Sequence, residues 1–73
     1  MRYTGMIKWY NPIRGFGFIE PDSGTEMIYA DNQQLKGIFK PSLLVGTKVR
    51  FNVERGHIGC RAIDIVVLSQ DIN

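Results

Sequence analysis

Arg14-Gly15-Phe16-Gly17-Phe18-Ile19 is the stretch on which the fold turns. Residues i and i+2 of an extended strand face the same side, so Phe16 and Phe18 share one face. Gly17 leaves the opposite face bare, as a strand does where something packs closely against it. Two aromatics beside an arginine are how a sheet offers stacking platforms to unpaired bases. Two phenylalanines on one face are also what a strand turns toward a core. The neighbouring residues decide between the two.

Upstream, Tyr3 to Tyr10 reads as a first strand, with Met6, Ile7, Trp9 and Tyr10 favouring extended backbone and Lys8 polar among them. Asn11-Pro12 breaks the pattern and Ile13-Arg14 completes a turn, so Gly15 to Glu20 returns as the second strand of an antiparallel hairpin. Downstream, Pro21-Asp22-Ser23-Gly24 is a turn, and Met27 to Ala30 a short third strand ended by the polar run Asp31 to Gln34. Leu35 to Gly46 has no clear period and reads as a long loop with one helical turn near Leu43. Thr47 to Glu54 alternates, with Val49, Phe51 and Val53 on one face and Lys48, Arg50, Asn52 and Glu54 on the other. Arg55 to Gly59 turns the chain, Arg61 to Leu68 is a last strand, and the polar tail from Ser69 frays.

Five short strands without a long helix predict an all-β fold, a five-stranded antiparallel OB-type barrel, because closing the sheet removes its edges. At 73 residues the chain is read as one domain over residues 1–70, with 71–73 as tail. It has no apolar run of the roughly 18–20 residues that a membrane helix needs, and no basic-then-apolar leader, so a soluble cytoplasmic protein is expected. Cys60 and His57 each stand alone of their kind, three residues apart in or beside a turn, with no orienting partner. No paired carboxylates, metal-ligand cluster or phosphate loop stands out, so neither an enzyme nor a cofactor is expected. The net charge of +2 permits contact with phosphates without requiring it.

The RNA-binding signature K/R-G-F/Y-G/A-F-V-x-F/Y is met by Arg14 to Phe18, with Ile19 for valine and Pro21 where the last aromatic would stand. The RRM fold that carries this signature needs two helices, which the chain lacks, so the same chemistry must sit on a barrel. At this point the sequence resembles the bacterial cold-shock proteins, single cold-shock domains on an OB fold. Gly5-Met6-Ile7-Lys8-Trp9-Tyr10-Asn11 is similar to the family's G-x-V-K-W-F-N. Arg14 to Ile19 matches its first nucleic-acid-binding motif, K-G-F-G-F-I, and Val49-x-Phe51 and Gly59-x-x-Ala62 fall where its last two strands lie. The resemblance implies that Trp9, Phe16 and Phe18 stack bases, with the basic Lys8 and Arg14 beside them. Tyr10 is left between packing at the barrel edge and touching the ligand, and a tryptophan such as Trp9 is itself often buried.

The family's second motif, V-F-V-H-F, is where the chain departs, reading Ile28-Tyr29-Ala30-Asp31-Asn32. The preferred register turns Ile28 and Ala30 inward and Tyr29 onto the aromatic face; a slip of one residue would bury Tyr29. Asp31 stands for the histidine and Asn32 for the second aromatic. A carboxylate there repels phosphate, yet accepts a hydrogen bond from a base amine such as cytosine N4. Phe39 lies within one residue of a loop aromatic that contributes to binding in the family, and is left between that role and a hydrophobic plug under the loop. Arg50 and Arg61 face outward by alternation, where they could follow the nucleic-acid backbone or simply be solvated. The expected partner is single-stranded RNA or DNA, bound without strong sequence preference, and the expected role is an RNA chaperone or a regulator of transcription or translation. The rivals are a protein-interaction module whose nucleic-acid face has decayed and an accessory enzyme domain. A monomer is expected, with a strand-exchanged dimer open through the long loop.

Overall fold

A computed structural model of the chain describes residues 3–24, 26–36, 43–57 and 59–69. Its strands are β1 (Tyr3–Asn11), β2 (Phe16–Pro21), β3 (Ile28–Asp31), β4 (Lys48–Gly56) and β5 (Gly59–Ser69), with a 3-10 turn at Asn32–Gln34 after β3. The sheet closes on itself in the order β1-β2-β3-β5-β4, with β4 returning to β1. Ile7, Ile19, Ile28, Ala30, Val49, Phe51, Ala62 and Ile65 fill the interior from the strands, and Leu35 and Leu43 from the connections.

The barrel has the five strands expected, but it is not antiparallel throughout. β3 and β5 run parallel, paired at Tyr29–Arg61 and Ala30–Ala62. Each strand reverses the direction of the one before, so the third and fifth point the same way, and closure in this order sets them side by side. The one helical turn among the described residues is Asn32–Gln34, not near Leu43, which is buried in non-helical backbone. Of the long loop, residues 37–42 lie outside the described residues, as does the tail beyond Ser69.

Three register shifts shape the barrel, one in β1 and two in β5, one of those in β5 passing over Leu68. In β1 the pairing runs Gly5–Pro21, Met6–Glu20, Ile7–Ile19 and then jumps to Trp9–Phe18, leaving Lys8 unopposed. The Ile7 amide donates to the Thr47 carbonyl at 2.9 Å and its carbonyl accepts from Gly46 N–H at 2.8 Å, so the backbone beside the bulge stays satisfied. At the other shift in β5, Asp64 and Ile65 together face Phe51, and Asp64 takes a left-handed φ of 51° there. Asp64 is steadied there by Lys36 at 3.3 Å and by the Asn52 amide at 3.4 Å.

Candidate nucleic-acid interface

The interface is built on β2. Its burial alternates, Phe16 and Phe18 outward and half-buried, Gly17 and Ile19 inward and buried. A Cβ on Gly17 would run into the Trp9 carbonyl oxygen and come within 2.9 Å of Tyr10 Cα. β1 therefore lies closely over the bare inner side of β2, as the lone glycine between two phenylalanines requires. The turn before β2 is held by Asn11, whose Oδ1 accepts from the amides of Ile13 at 3.0 Å and Arg14 at 3.2 Å. Gly15 closes it with φ of 75°, leaving Arg14 exposed at the mouth of the strand.

Trp9 joins this face because of the bulge at Lys8. Period-two alternation from the buried Gly5 and Ile7 would send Trp9 into the barrel. With one residue taken out of the ladder, Trp9 stands opposite Phe18, shares its face and is 47% exposed. Tyr10 takes the inward place instead, half-buried against the core. The register with Ile28 and Ala30 buried holds in β3, so Tyr29 faces outward opposite Phe18.

Four rings thus meet in a closed circuit. Trp9 and Phe16 lie 5.5 Å apart between centroids, Phe16 and Tyr29 5.5 Å, Tyr29 and Phe18 6.1 Å, and Phe18 and Trp9 5.9 Å. Tilted and edge-to-face pairs at such distances hold one another in place. Trp9, Phe18, Tyr29, Arg61 and Glu54 form one row of cross-strand neighbours over all five strands. Asn11, Phe16 and Asp31 form a second row beside it. Beyond Tyr29 the face continues into an open depression of about 620 Å³ lined by Phe18, Tyr29, Glu54, Gly56, Gly59, Cys60 and Arg61.

The charged residues are less free than their sequence positions imply. Lys8 is half-exposed and pairs with Glu20 at 3.6 Å. Both Arg61 Nε, at 2.8 Å, and its terminal Nη2 donate to Glu54 Oε1. The Gly56–Gly59 hairpin sets that pairing, a signal already present in the turn composition. Arg50 is half-buried rather than fully outward. Phe39 lies outside the described residues. Asp31 Oδ1 caps the 3-10 turn by accepting from Gln33 N–H at 2.9 Å, and its Oδ2 accepts from the Tyr29 hydroxyl at 3.3 Å. Burial, and then the charge and hydrogen bond of Asp31, hold the Tyr29 phenol above its ordinary pKa of 10.0, with Arg61 opposing. Asn32 is exposed, and its side-chain amide lies over Gly15, where an added Cβ would come within 2.9 Å of Asn32 Nδ2.

The family model described as the 'Cold-shock' DNA-binding domain matches residues 3–68. Cold shock-like protein CspG of Shewanella violacea is 37% identical over 65 residues, spanning 89% of this chain and 93% of that relative. Cold shock-like protein CspJ of Salmonella typhimurium is 34% identical over 67 residues, 92% of this chain and 96% of that relative. Among solved structures, drosophila Unr CSD456 superposes with a TM-score of 0.80 at 20% identity, over 97% of this chain but 28% of that one, a likeness of fold alone. Barrel, aromatic strand and these matches agree: the chain belongs to the bacterial cold-shock protein family.

Proposed function

We propose that the protein binds single-stranded RNA or DNA by stacking unpaired bases on Trp9, Phe16, Phe18 and Tyr29, with no catalytic step. The observation that carries this reading is the closed circuit of four aromatics on one accessible face of the barrel. Every base has a π-face, so such a surface tolerates most sequences, and each stacked base is worth about 1–3 kcal/mol. Arg14 contacts phosphate from the edge of the face. Lys8 does so by leaving Glu20, since an exposed ion pair of this kind contributes only about 0–1 kcal/mol. Because the protein takes up only the unpaired form, it draws hairpins toward the melted state by mass action. That is RNA-chaperone activity, and an effect on transcription or translation follows from it.

The test is a titration with short oligo-dT and mixed-sequence RNA, followed by Trp9 fluorescence at low and moderate salt. Saturable quenching that weakens with salt supports the reading. Its absence at tens of micromolar ligand points to the rival, a barrel whose face meets a protein. Quenching that survives Phe16→Ala and Phe18→Ala together places the site elsewhere.

A further inference from the structure

Asp31 stands on the aromatic face, directly opposite Phe16 and two residues from Tyr29 along β3. A carboxylate so placed works against phosphate binding, and among the described residues it forms no ion pair to offset this. Its hydrogen bonds leave capacity unused. Two carboxylate oxygens accept about four hydrogen bonds, and Asp31 receives one from Gln33 N–H and a long one from the Tyr29 hydroxyl. The Tyr29 bond also fixes Oδ2 at the rim of the ring circuit. A base lying on Phe16 or Tyr29 brings its hydrogen-bonding edge to that rim, while its phosphate stays outside.

We propose that Asp31 makes this interface selective for bases bearing an exocyclic amine, namely cytosine, adenine and guanine, over uracil and thymine. The selectivity rests on the stacking reading above. Cytosine N4 and adenine N6 each present N–H to a carboxylate, and guanine presents N1–H and N2–H side by side. Uracil and thymine present a single N3–H between two carbonyl oxygens, and those oxygens repel a carboxylate that approaches it. Arg14 and Lys8 attract phosphates without regard to sequence, so the preference is assigned to Asp31, the carboxylate on the aromatic face.

The experiment compares heptamers of deoxycytidine and deoxyuridine, which differ at the edge and not by a methyl group, at pH 7.5 and one salt concentration. Trp9 fluorescence reports binding to the wild type and to Asp31→Asn, which keeps the shape and the capping oxygen. A thermal melt confirms that the variant is folded. The wild type is expected to favour the cytidine heptamer by about fivefold or more, and Asp31→Asn to bring the ratio close to one. Equal affinities in the wild type, or a preference that persists in Asp31→Asn, overturn the selectivity while leaving stacking intact. Quenching by neither heptamer overturns both.

Discussion

Trp9 stands directly opposite Phe18 because Lys8 bulges out of the ladder between β1 and β2. One residue removed from the pairing turns the only tryptophan from the barrel interior to its surface. The bulge also leaves Lys8 exposed, with Glu20 in reach at 3.6 Å. The displacement puts Trp9 outside the core, where the proposed binding and the stability of the fold draw on different residues.

Trp9→Ala should therefore weaken binding far more than it weakens the fold. The expected loss is about 1–3 kcal/mol of affinity, against about 1 kcal/mol of stability from the lost ring contacts. Anisotropy of a labelled oligonucleotide and urea denaturation measure the two. Phe51→Ala is the converse case: it empties the core and should cost about 3–5 kcal/mol of stability, enough to unfold much of so small a domain.

Gly17→Ala tests the close approach of β1 to β2. The added methyl meets backbone atoms of Trp9 and Tyr10, which cannot swing aside like the end of a side chain. A destabilisation of about 1–3 kcal/mol is expected, with a loss of binding greater than the melting curve explains, because Trp9 moves with its carbonyl. A variant as stable and as tightly binding as the wild type would show that the strands are not so close.

Salt dependence separates the two cations. Each phosphate neutralised on a single strand contributes about 0.7 to the slope of log K against log salt. Arg14→Ala should flatten the slope by about that amount, whereas Glu20→Gln should tighten binding at low salt by releasing Lys8. An unchanged slope in Arg14→Ala removes this residue from the phosphate path.

Alkaline pH should reveal the Tyr29 phenol. Its folded pKa lies above the unfolded value near 10.0, chiefly through burial and then through Asp31. The folded state thus holds this proton more tightly than the unfolded state does. The stabilisation is full below pH 10 and is lost as pH rises through the folded pKa. Tyr29→Phe should flatten the fall of stability above pH 10, read from urea midpoints across the alkaline range. An identical alkaline profile in the variant would count against the shift.

Much of this was legible in the residues. Glycine between Phe16 and Phe18, the turns at Asn11-Pro12 and Pro21-Asp22-Ser23-Gly24, and the alternation of Val49 and Phe51 led to five strands and a barrel. The likeness of Ile28 to Asn32 to the family's second motif, with the alternation of Ile28 and Ala30, led to the right register for Tyr29. What stayed hidden depended on partners distant in the chain. Strict alternation misplaces Trp9, since nothing local announces that Lys8 drops out of the ladder. The parallel pairing of β3 with β5 follows from the closing order of the strands, which no single segment encodes. Asp31 read as a carboxylate that repels phosphate or accepts from a base amine; the hydrogen bonds it receives from Gln33 N–H and the Tyr29 hydroxyl were not legible in the residues. Arg61 read as available, but Glu54 holds it across the hairpin.

The parallel seam has a consequence for how the barrel opens. β3 is four residues long and meets β5 at Tyr29–Arg61 and Ala30–Ala62, with an isolated bridge between Leu35 and Ile65 just beyond. β4 and β5, by contrast, are tied along nearly their whole length. Amide exchange should accordingly be fastest, among the strands, in β3, where local opening needs the fewest bonds broken. Tyr29 and Asp31 ride on that strand, while Trp9, Phe16 and Phe18 stay with the firmer hairpin. A strand of bases lying across Phe18 and Tyr29 would act as a splint over the weak joint, slowing exchange at Ala30 and making occupancy of the face and closure of the barrel one coupled equilibrium.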